Sequence, residues 1–242
     1  MRYDTTTTSP ILSKTLLQPE ISVNSGITEI DTLLAGFRAG TVTYVDGDSK
    51  LIADLPNRLC VNTYQQFHAH TLYLDGGLCA DPYEIARYAR ALELDQYEVL
   101  HHVYVSRAFT VYQLSTLIEQ HLEPMLQQYH PQTLIIGRFP LLHLDPDVPS
   151  NEAHRLLQNN LQTLQRLTKK HMLITILTNK ETYRFPGQQH IRKLIYRNTS
   201  EVLRLRYIEP CTYVDLVHQR QGTMIRDHEE GQLQLDQFGM VS

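Results

Sequence analysis

A segment in the C-terminal third of the chain combines basic and aromatic side chains in a pattern that could bind an anionic polymer. Its candidate contact residues are Tyr183, Arg184, Phe185, His190, Arg192, Lys193 and Arg197. Guanidinium and ammonium groups pair with phosphates, and aromatic rings stack on exposed bases. The segment therefore predicts contact with DNA, either single-stranded or double-stranded. A charged surface that only faces solvent is the alternative interpretation, because most charge clusters do no more than that.

A glycine turn that contains a lysine, at residues 45–51, could hold a smaller anion. Gly47, Asp48, Ser49 and Lys50 form its centre. Backbone amides at the start of a helix can surround a phosphate, and a lysine beside them adds positive charge. Asp48 and the aspartate before Gly47 would repel a polyphosphate at close range. A lysine that faces solvent at a strand-to-helix turn is therefore the favoured interpretation.

No set of residues indicates a metal or redox centre. The three cysteines are scattered along the chain and form no CxxC pair, which is typical of a protein from a reducing compartment. Among the twelve histidines, the pairs His68/His70 and His101/His102 lack further ligands at metal-site spacing. We therefore expect neither a metal nor another cofactor.

The composition suits one ordinary soluble domain. The chain has 242 residues, of which 42% are hydrophobic and 20% are charged, so it can bury a sizeable core. Its net charge of −4 argues against unspecific coating of nucleic acid, although residues 184–226 alone carry eight basic and three acidic residues. No apolar run reaches the length of a membrane span, and no signal-peptide core follows the first residues. We expect no membrane contact and a cytoplasmic protein, nuclear or nucleoid-associated if it acts on chromosomal DNA.

The hydrophobic pattern predicts the alternating strands and helices that must position these residues. Strands are predicted at residues 40–47, 71–75, 102–105, 133–137 and 172–178. Helices are predicted at residues 27–36, 49–67, 82–92, 111–129 and 151–171. Pro56 should interrupt the second helix and Pro124 should kink the fourth. Short apolar strands that alternate with helices are typical of a parallel sheet covered on both faces.

The two ends of the chain differ from this pattern. Residues 1–20 carry four consecutive threonines and two prolines, so we expect an N-terminal arm there and one core domain over residues 21–242. Polar alternation at residues 200–207, 212–218 and 232–237 predicts antiparallel strands. The predicted fold class is α/β, with an antiparallel β edge at the C-terminal end of the parallel sheet.

Four segments, in order, resemble the core of RecA/RadA-type recombinases. Residues 25–36 (SGITEIDTLLAG) resemble the entry to that core, and residues 74–87 (LDGGLCADPYEIAR) resemble the family's iDTEntF-P-Ri segment. Residues 103–109 (VYVSRAF) are similar to iyvARAfn, and residues 176–179 (ILTN) resemble the vTNQV strand end before the second DNA-binding loop. The resemblance implies a RecA-like core and identifies the chain as a RadA-like recombinase paralogue.

The resemblance also implies a nucleotide site, from which this chain departs at four places. The GxxxxGK[ST] loop has lost its second glycine, and Leu51 stands where the magnesium-binding hydroxyl is expected. Arg138 lies in the stretch that should hold a magnesium-placing acid, Gly77 replaces the water-activating glutamate, and Lys180 replaces the phosphate-sensing glutamine. The expected degenerate nucleotide site consists of Gly47, Asp48, Ser49, Lys50, Asp75, Gly77 and Lys180. We expect a pseudo-ATPase without catalytic residues, because no route for metal-assisted phosphoryl transfer remains.

Two residues in the matched segments have structural interpretations. Asp75 ends a predicted strand, and an aspartate at such a position commonly caps the following turn. Phe109 is expected to pack in the core beneath the helix predicted at residues 111–129.

Three functions remain open from the sequence alone. The first is a non-catalytic recombinase paralogue that binds DNA or acts on a recombinase filament in DNA repair and homologous recombination. Its partners would be DNA and a recombinase or another paralogue, in a homodimer or heterodimer. The second is a RecA-fold scaffold or regulator that works only through protein contacts. The third, and least favoured, is a divergent ATPase completed by groups from a partner.

Overall fold

The computed structural model describes residues 21–180 and 188–226, the second range with side chains from residue 190 onward. The predicted arm at residues 1–20 and the strand predicted at residues 232–237 lie outside this part of the chain. Three of the predicted DNA-contact residues, Tyr183, Arg184 and Phe185, lie outside it as well.

Strands and helices alternate through the described residues, largely as predicted. The first half comprises β1 (Ser22–Val23), α1 (Thr28–Leu34), β2 (Phe37–Arg38), β3 (Thr41–Gly47), α2 (Leu51–Phe67), β4 (Thr71–Asp75), α3 (Pro82–Ala91), α4 (Gln96–His101) and β5 (Val103–Arg107). The second half comprises α5 (Val111–Thr116), α6 (Leu122–Tyr129), β6 (Thr133–Gly137), α7 (Ser150–His171), β7 (Ile174–Lys180), α8 (Gln188–Arg197), β8 (Glu201–Ile208), β9 (Cys211–Leu216) and β10 (Gln221–Arg226). A π-helical turn (Leu117–His121) joins α5 to α6, and a 3-10 turn (Leu141–Leu144) precedes α7.

Eight strands form one sheet in the order β10-β9-β8-β3-β7-β6-β4-β5. The pairs from β8 to β5 are parallel, and β9 and β10 extend the sheet in antiparallel pairing. This arrangement confirms the predicted α/β class with an antiparallel C-terminal edge. The strand predicted at residues 200–207 pairs antiparallel with β9 but parallel with β3, because a strand that returns through a helical crossover runs parallel to its neighbour.

Apolar cores fill both faces of the sheet, because successive strand residues point to opposite sides. On β4, Tyr73 packs into the core that contains α1 to α4. Leu72 and Leu74 point the other way, into the core that contains α5 to α8. The site residues therefore lie on a sheet whose middle strands are buried from both sides. Within the described residues, no helix is both long and apolar enough to cross a membrane.

The two prolines act differently from the prediction. Pro56 does not interrupt α2, which runs unbroken from Leu51 to Phe67. A proline removes the hydrogen bond to the carbonyl four residues earlier, here that of Ile52 in the first turn, and burial of the apolar face of the helix offsets that loss. Pro124 would meet the carbonyl of Gln120, which lies inside the π-helical turn. The predicted kink thus takes the form of one widened turn.

Candidate functional site

The predicted nucleotide residues meet at the carboxyl edge of the parallel sheet. Gly47, Asp75 and Lys180 are the last residues of β3, β4 and β7. Gly47 lies beside Lys180, and Asp75 lies beside Gly137 at the end of β6. Ligands of open α/β sheets bind at this edge. Gly47, Asp75 and Lys180, three of the residues predicted to form a degenerate nucleotide site, therefore lie along one edge of the sheet.

The loop after β3 is tied to β8 by its own backbone. The amide of Asp48 donates to the carbonyl of Leu205 at 3.1 Å, and the amide of Tyr207 donates to Asp48 Oδ1 at 2.7 Å. Gly47 has φ +135°, and a β-carbon there would come within 1.9 Å of the Leu205 oxygen. Only glycine fits this close approach. Gly47 therefore allows the end of β3 to approach β8 closely.

Two backbone amides at the start of α2 donate hydrogen bonds to Ser49 in the preceding loop. Ser49 is buried, its Oγ accepts from the amide of Leu51 at 3.3 Å, and it forms a hydrogen bond with Thr212 Oγ1 at 3.0 Å. The amide of Ile52 donates to the Ser49 carbonyl at 3.3 Å. These are the kinds of donor that hold an anion at a helix N-terminus. Lys50 is exposed at the helix cap and makes no side-chain capping bond.

Asp75 organises the turn after β4. Its carboxylate accepts hydrogen bonds from the amides of Gly77, Cys79 and Ala80 at 2.9–3.2 Å. The guanidinium of Arg107, at the end of β5, lies 3.6 Å from the same carboxylate, which is fully buried. Three amide donors and an ion pair satisfy a buried carboxylate well. Asp75 therefore has the structural role expected from the sequence.

Arg138 occupies the space beside Gly77. A β-carbon at Gly77 would come within 2.4 Å of the Arg138 Cδ and 2.9 Å of its Cβ and Cγ. Arg138 follows β6 with φ +49°, a backbone conformation that directs it across this edge. The two departures from the family pattern are thus spatial neighbours. The Arg138 side chain fills the space into which a side chain at position 77 would project.

A buried ionic cluster next to this edge was missed by the sequence analysis. Asp46 is fully buried, and its carboxylate accepts from Tyr196 Oη at 2.9 Å and from Arg204 Nη1 at 3.1 Å. Arg192 Nε lies 3.4 Å from the same carboxylate. Burial and the nearby Asp46 charge raise the pKa of Tyr196, so its hydroxyl stays protonated and donates. We name Asp46, Arg192, Tyr196 and Arg204 the Asp46 cluster.

Two sequence signals could have revealed this cluster. Asp46 interrupts an otherwise buried strand, and a buried carboxylate needs cationic or hydrogen-bonding partners. Arg192 and Tyr196 are four residues apart, a spacing that places both on one face of a helix. The register that sets Arg204 opposite Asp46 was not readable from the sequence, because it depends on how β8 pairs with β3.

Helix α8 carries a stripe of basic side chains on its outer face. His190, Lys193 and Arg197 are exposed, and their spacing of three and four residues places them on one side of the helix. We name these three residues the α8 stripe. Arg192 was predicted to contact DNA with them. In the structure its Nε lies 3.4 Å from Asp46 Oδ2, and 30% of its side chain is exposed.

Comparison with known proteins assigns the family. A Rad51 family model matches residues 18–193, nearly three quarters of the chain. The chain belongs to the Rad51 family. This match confirms the resemblance to RecA/RadA-type recombinases and supports a role in recombination or repair. No curated protein matches the chain.

The Rad51 family implies a magnesium–nucleotide pair, and the residues at this edge of the sheet do not fit one. The Ser49 hydroxyl is bonded to Thr212, and the stretch in which the resemblance implies a metal-placing acid holds the cationic Arg138. Among the described residues, no three His, Cys, Asp or Glu side chains are close enough to hold a metal ion. Burial and the nearby Asp75 raise the pKa of the Cys79 thiol, so this neighbour is not a reactive thiolate.

The other end of this Rad51-family sheet exposes an apolar edge. Strand β5 is outermost there, and Val105, Phe109 and Tyr112 are 43%, 66% and 48% exposed. The prediction that Phe109 packs in the core is wrong. Ala108 takes the inward position, and the amide of Phe109 donates to Gln113 Oε1 at 2.8 Å, which leaves the ring outside.

Proposed function

We propose that this chain is a non-catalytic member of the Rad51 family, which binds DNA or assists a recombinase filament in repair and recombination. The observation that carries the proposal is the packing of Arg138 against Gly77. Arg138 lies in the stretch where the resemblance implies a metal-placing acid, and Gly77 lies at the position of the implied water-activating acid. Phosphoryl transfer depends on positioned metal and nucleophile, so a site without either group has no means of hydrolysis.

The closed loop after β3 supports the same conclusion independently. The amide of Asp48 is bonded to Leu205, the amide of Leu51 to Ser49, and the Ser49 hydroxyl to Thr212. A phosphate would have to displace these bonds and approach the exposed Asp48. A polar group that gives up a buried hydrogen bond loses about 1–3 kcal/mol. The loop after β3 therefore offers no ready cradle for phosphate.

DNA contact is supported by the α8 stripe. Three basic or titratable side chains on one helical face can follow the phosphates of one strand. None of the three takes part in the Asp46 cluster, so they remain directed to solvent. A site of this kind recognises the charge of the backbone rather than the sequence of the bases. The compartment in which the protein works would then be the one that holds chromosomal DNA.

The scaffold alternative rests on the exposed edge at β5. A parallel edge strand presents unpaired backbone groups to which a strand of another chain can add. Val105, Phe109 and Tyr112 would supply apolar contacts beside it. A recombinase or another paralogue is the partner that the family suggests. This edge lies at the opposite end of the sheet from the antiparallel strands, so a protein contact there is compatible with DNA contact at α8.

A fluorescence anisotropy titration tests the proposal. Labelled single-stranded and double-stranded oligonucleotides are titrated with the full chain, without nucleotide, over a series of salt concentrations. If the α8 stripe contacts three phosphates, log Kd should change with log salt by about two to three. No binding at low salt would favour the scaffold. Magnesium-dependent ATP turnover that Lys50→Ala abolishes would instead establish a divergent ATPase.

A further inference from the structure

We infer that Asp46 is a positioning residue that holds α8 in its DNA-binding orientation without a nucleotide. This inference rests on the proposed function and adds how the basic stripe is presented. The Asp46 cluster joins three elements at one point: the end of β3, the face of α8 and the middle of β8.

The chemistry of the cluster makes it a strong constraint. A carboxylate that is fully removed from water is costly unless cations and hydrogen-bond donors surround it. Asp46 has no exposed side-chain area, and Arg204 and Tyr196 both donate to it. Arg204 Nη1 also donates to Tyr196 Oη at 3.1 Å, so the three groups form a closed triangle. Displacing any one of them removes a hydrogen-bond partner from the other two.

The geometry of α8 links this constraint to the DNA surface. Ile195 of α8 is buried in the apolar core, and Arg192 and Tyr196 face Asp46 on a second side of the helix. With two sides fixed, the third side carries the α8 stripe. The ring of Tyr196 also meets Tyr44 edge-on, at 6.0 Å between centroids, which fixes the helix rotation further. Rotation of α8 would therefore require opening of the Asp46 cluster.

The position of the cluster explains why no nucleotide is needed. Asp46 directly precedes Gly47, at the end of β3 and next to the loop where the family resemblance places the nucleotide. In this structure its carboxylate contacts two side chains of α8 and one of β8. These contacts lie within the chain, so the α8 stripe is presented without a bound phosphate.

Hydrogen exchange tests the inference in the full chain. Asp46→Asn removes the charge with little change in shape, and Tyr196→Phe removes one hydroxyl donor in case the first variant folds poorly. We expect backbone amides of residues 191–197 to exchange about 10-fold faster in Asp46→Asn and about 3-fold faster in Tyr196→Phe, since local opening follows the lost contacts. Amides of β6 should keep their wild-type rates. Faster exchange in β6 to the same degree, or unchanged exchange in α8, would overturn the inference.

Glu201→Gln provides the matched control. Glu201 begins β8 and forms an ion pair with Arg38 at 2.8 Å, away from α8. This variant loses a comparable interaction on the same strand, and α8 exchange should stay at the wild-type rate. A rise in α8 exchange equal to that of Asp46→Asn would mean that any loss on β8 loosens the helix, which overturns a specific role for Asp46.

DNA titrations distinguish this inference from the proposed function. Wild-type protein should bind DNA equally with and without magnesium-ATP, within about twofold, because no coupling between the two ligands is expected. Asp46→Asn should bind more weakly and with a smaller salt slope, since fewer cations of α8 reach phosphates together. Strong enhancement by nucleotide would overturn the inference. Failure of the wild type to bind DNA would remove the proposed function, whereas the exchange experiment would still decide whether Asp46 holds α8.

Discussion

The side chain of Arg138 lies so close to Gly77 that the two positions can hold only one side chain between them. A β-carbon at position 77 would come within 2.4 Å of the arginine Cδ. A side chain at position 77 is therefore incompatible with the arginine at position 138. Adding a side chain at position 77 alone creates a clash, whereas shortening Arg138 alone does not.

We expect Gly77→Glu to destabilise the protein and to restore no ATP hydrolysis. Forcing a side chain into this filled space should lower the free energy of unfolding by about 1–3 kcal/mol, as measured by urea denaturation. The double variant Gly77→Glu/Arg138→Ala should regain most of that loss, because the arginine is the group in contact. A Gly77→Glu protein as stable as the wild type would show that the space is open.

Asp75→Asn should destabilise the protein strongly. The carboxylate accepts from three backbone amides and is paired with Arg107 while fully buried. Its replacement should lower the free energy of unfolding by about 2–4 kcal/mol, because a neutral amide satisfies these donors less well and leaves the arginine less compensated. Asp145→Asn is the control, since among the described residues its side chain accepts one amide hydrogen bond, from Asp147 near the surface. Equal effects in urea denaturation would contradict the role of Asp75.

The stability of the protein should rise with pH between about 4 and 6.5 because of His143. Burial lowers its pKa to about 4 in the folded chain, whereas the unfolded value is near 6.5. Between these values the unfolded chain binds a proton that the folded chain does not, so stability is complete above the unfolded pKa and falls as the pH drops toward 4. The difference corresponds to at most about 3 kcal/mol.

The hydrogen bonds of His143 agree with a neutral ring. Nδ1 lies 3.2 Å from the Phe139 carbonyl and can only donate there, which leaves Nε2 to accept from Asn160 at 3.1 Å. Urea denaturation at several pH values should show a shallower slope for His143→Gln than for the wild type. His154→Gln, on the exposed side of α7, should keep the wild-type slope. An unchanged slope in His143→Gln would contradict the prediction.

Charge reversal on the α8 stripe should weaken DNA binding. Lys193→Glu or Arg197→Glu replaces an attractive contact with a repulsive one, so we expect a loss of about 10-fold in affinity at low salt and a salt slope smaller by about one. Arg90→Glu is the matched control, because Arg90 is exposed on α3 at the opposite face of the sheet. If all three variants bind alike in anisotropy titrations, α8 does not contact DNA.

The sequence predicted the architecture well because local signals agreed with the tertiary fold. The strands at Thr71–Asp75 and Thr133–Gly137 have the bounds that their apolar runs indicate. The helix predicted from residue 82 begins there, after an N-cap at Asp81 whose side chain accepts from the amides of Tyr83 and Glu84. Such features depend on neighbours in sequence, so their physics is contained in a short window.

The features that the sequence did not predict depend on contacts between residues that are distant along the chain. Pro56 stays within a helix because its burial outweighs one lost hydrogen bond, which a local rule does not weigh. Strand β10 was not predicted, since four of its six residues are exposed and, among the described strands, it pairs with β9 alone. Asp46 was interpreted as a repulsive charge for phosphate, whereas residues about 150 positions later neutralise it. A short stretch of sequence cannot show that a charged side chain is paired with residues far along the chain.

The hydrogen bonds that join the loop after β3 to β8 affect how long a complex with DNA would last. On the function proposed above, they leave no site for ATP hydrolysis, so hydrolysis cannot drive the release of DNA. Its residence on DNA would be set by thermal dissociation alone, and its occupancy by protein concentration and ionic strength. Cells could then change its action only by altering its abundance, its partners or its access to DNA.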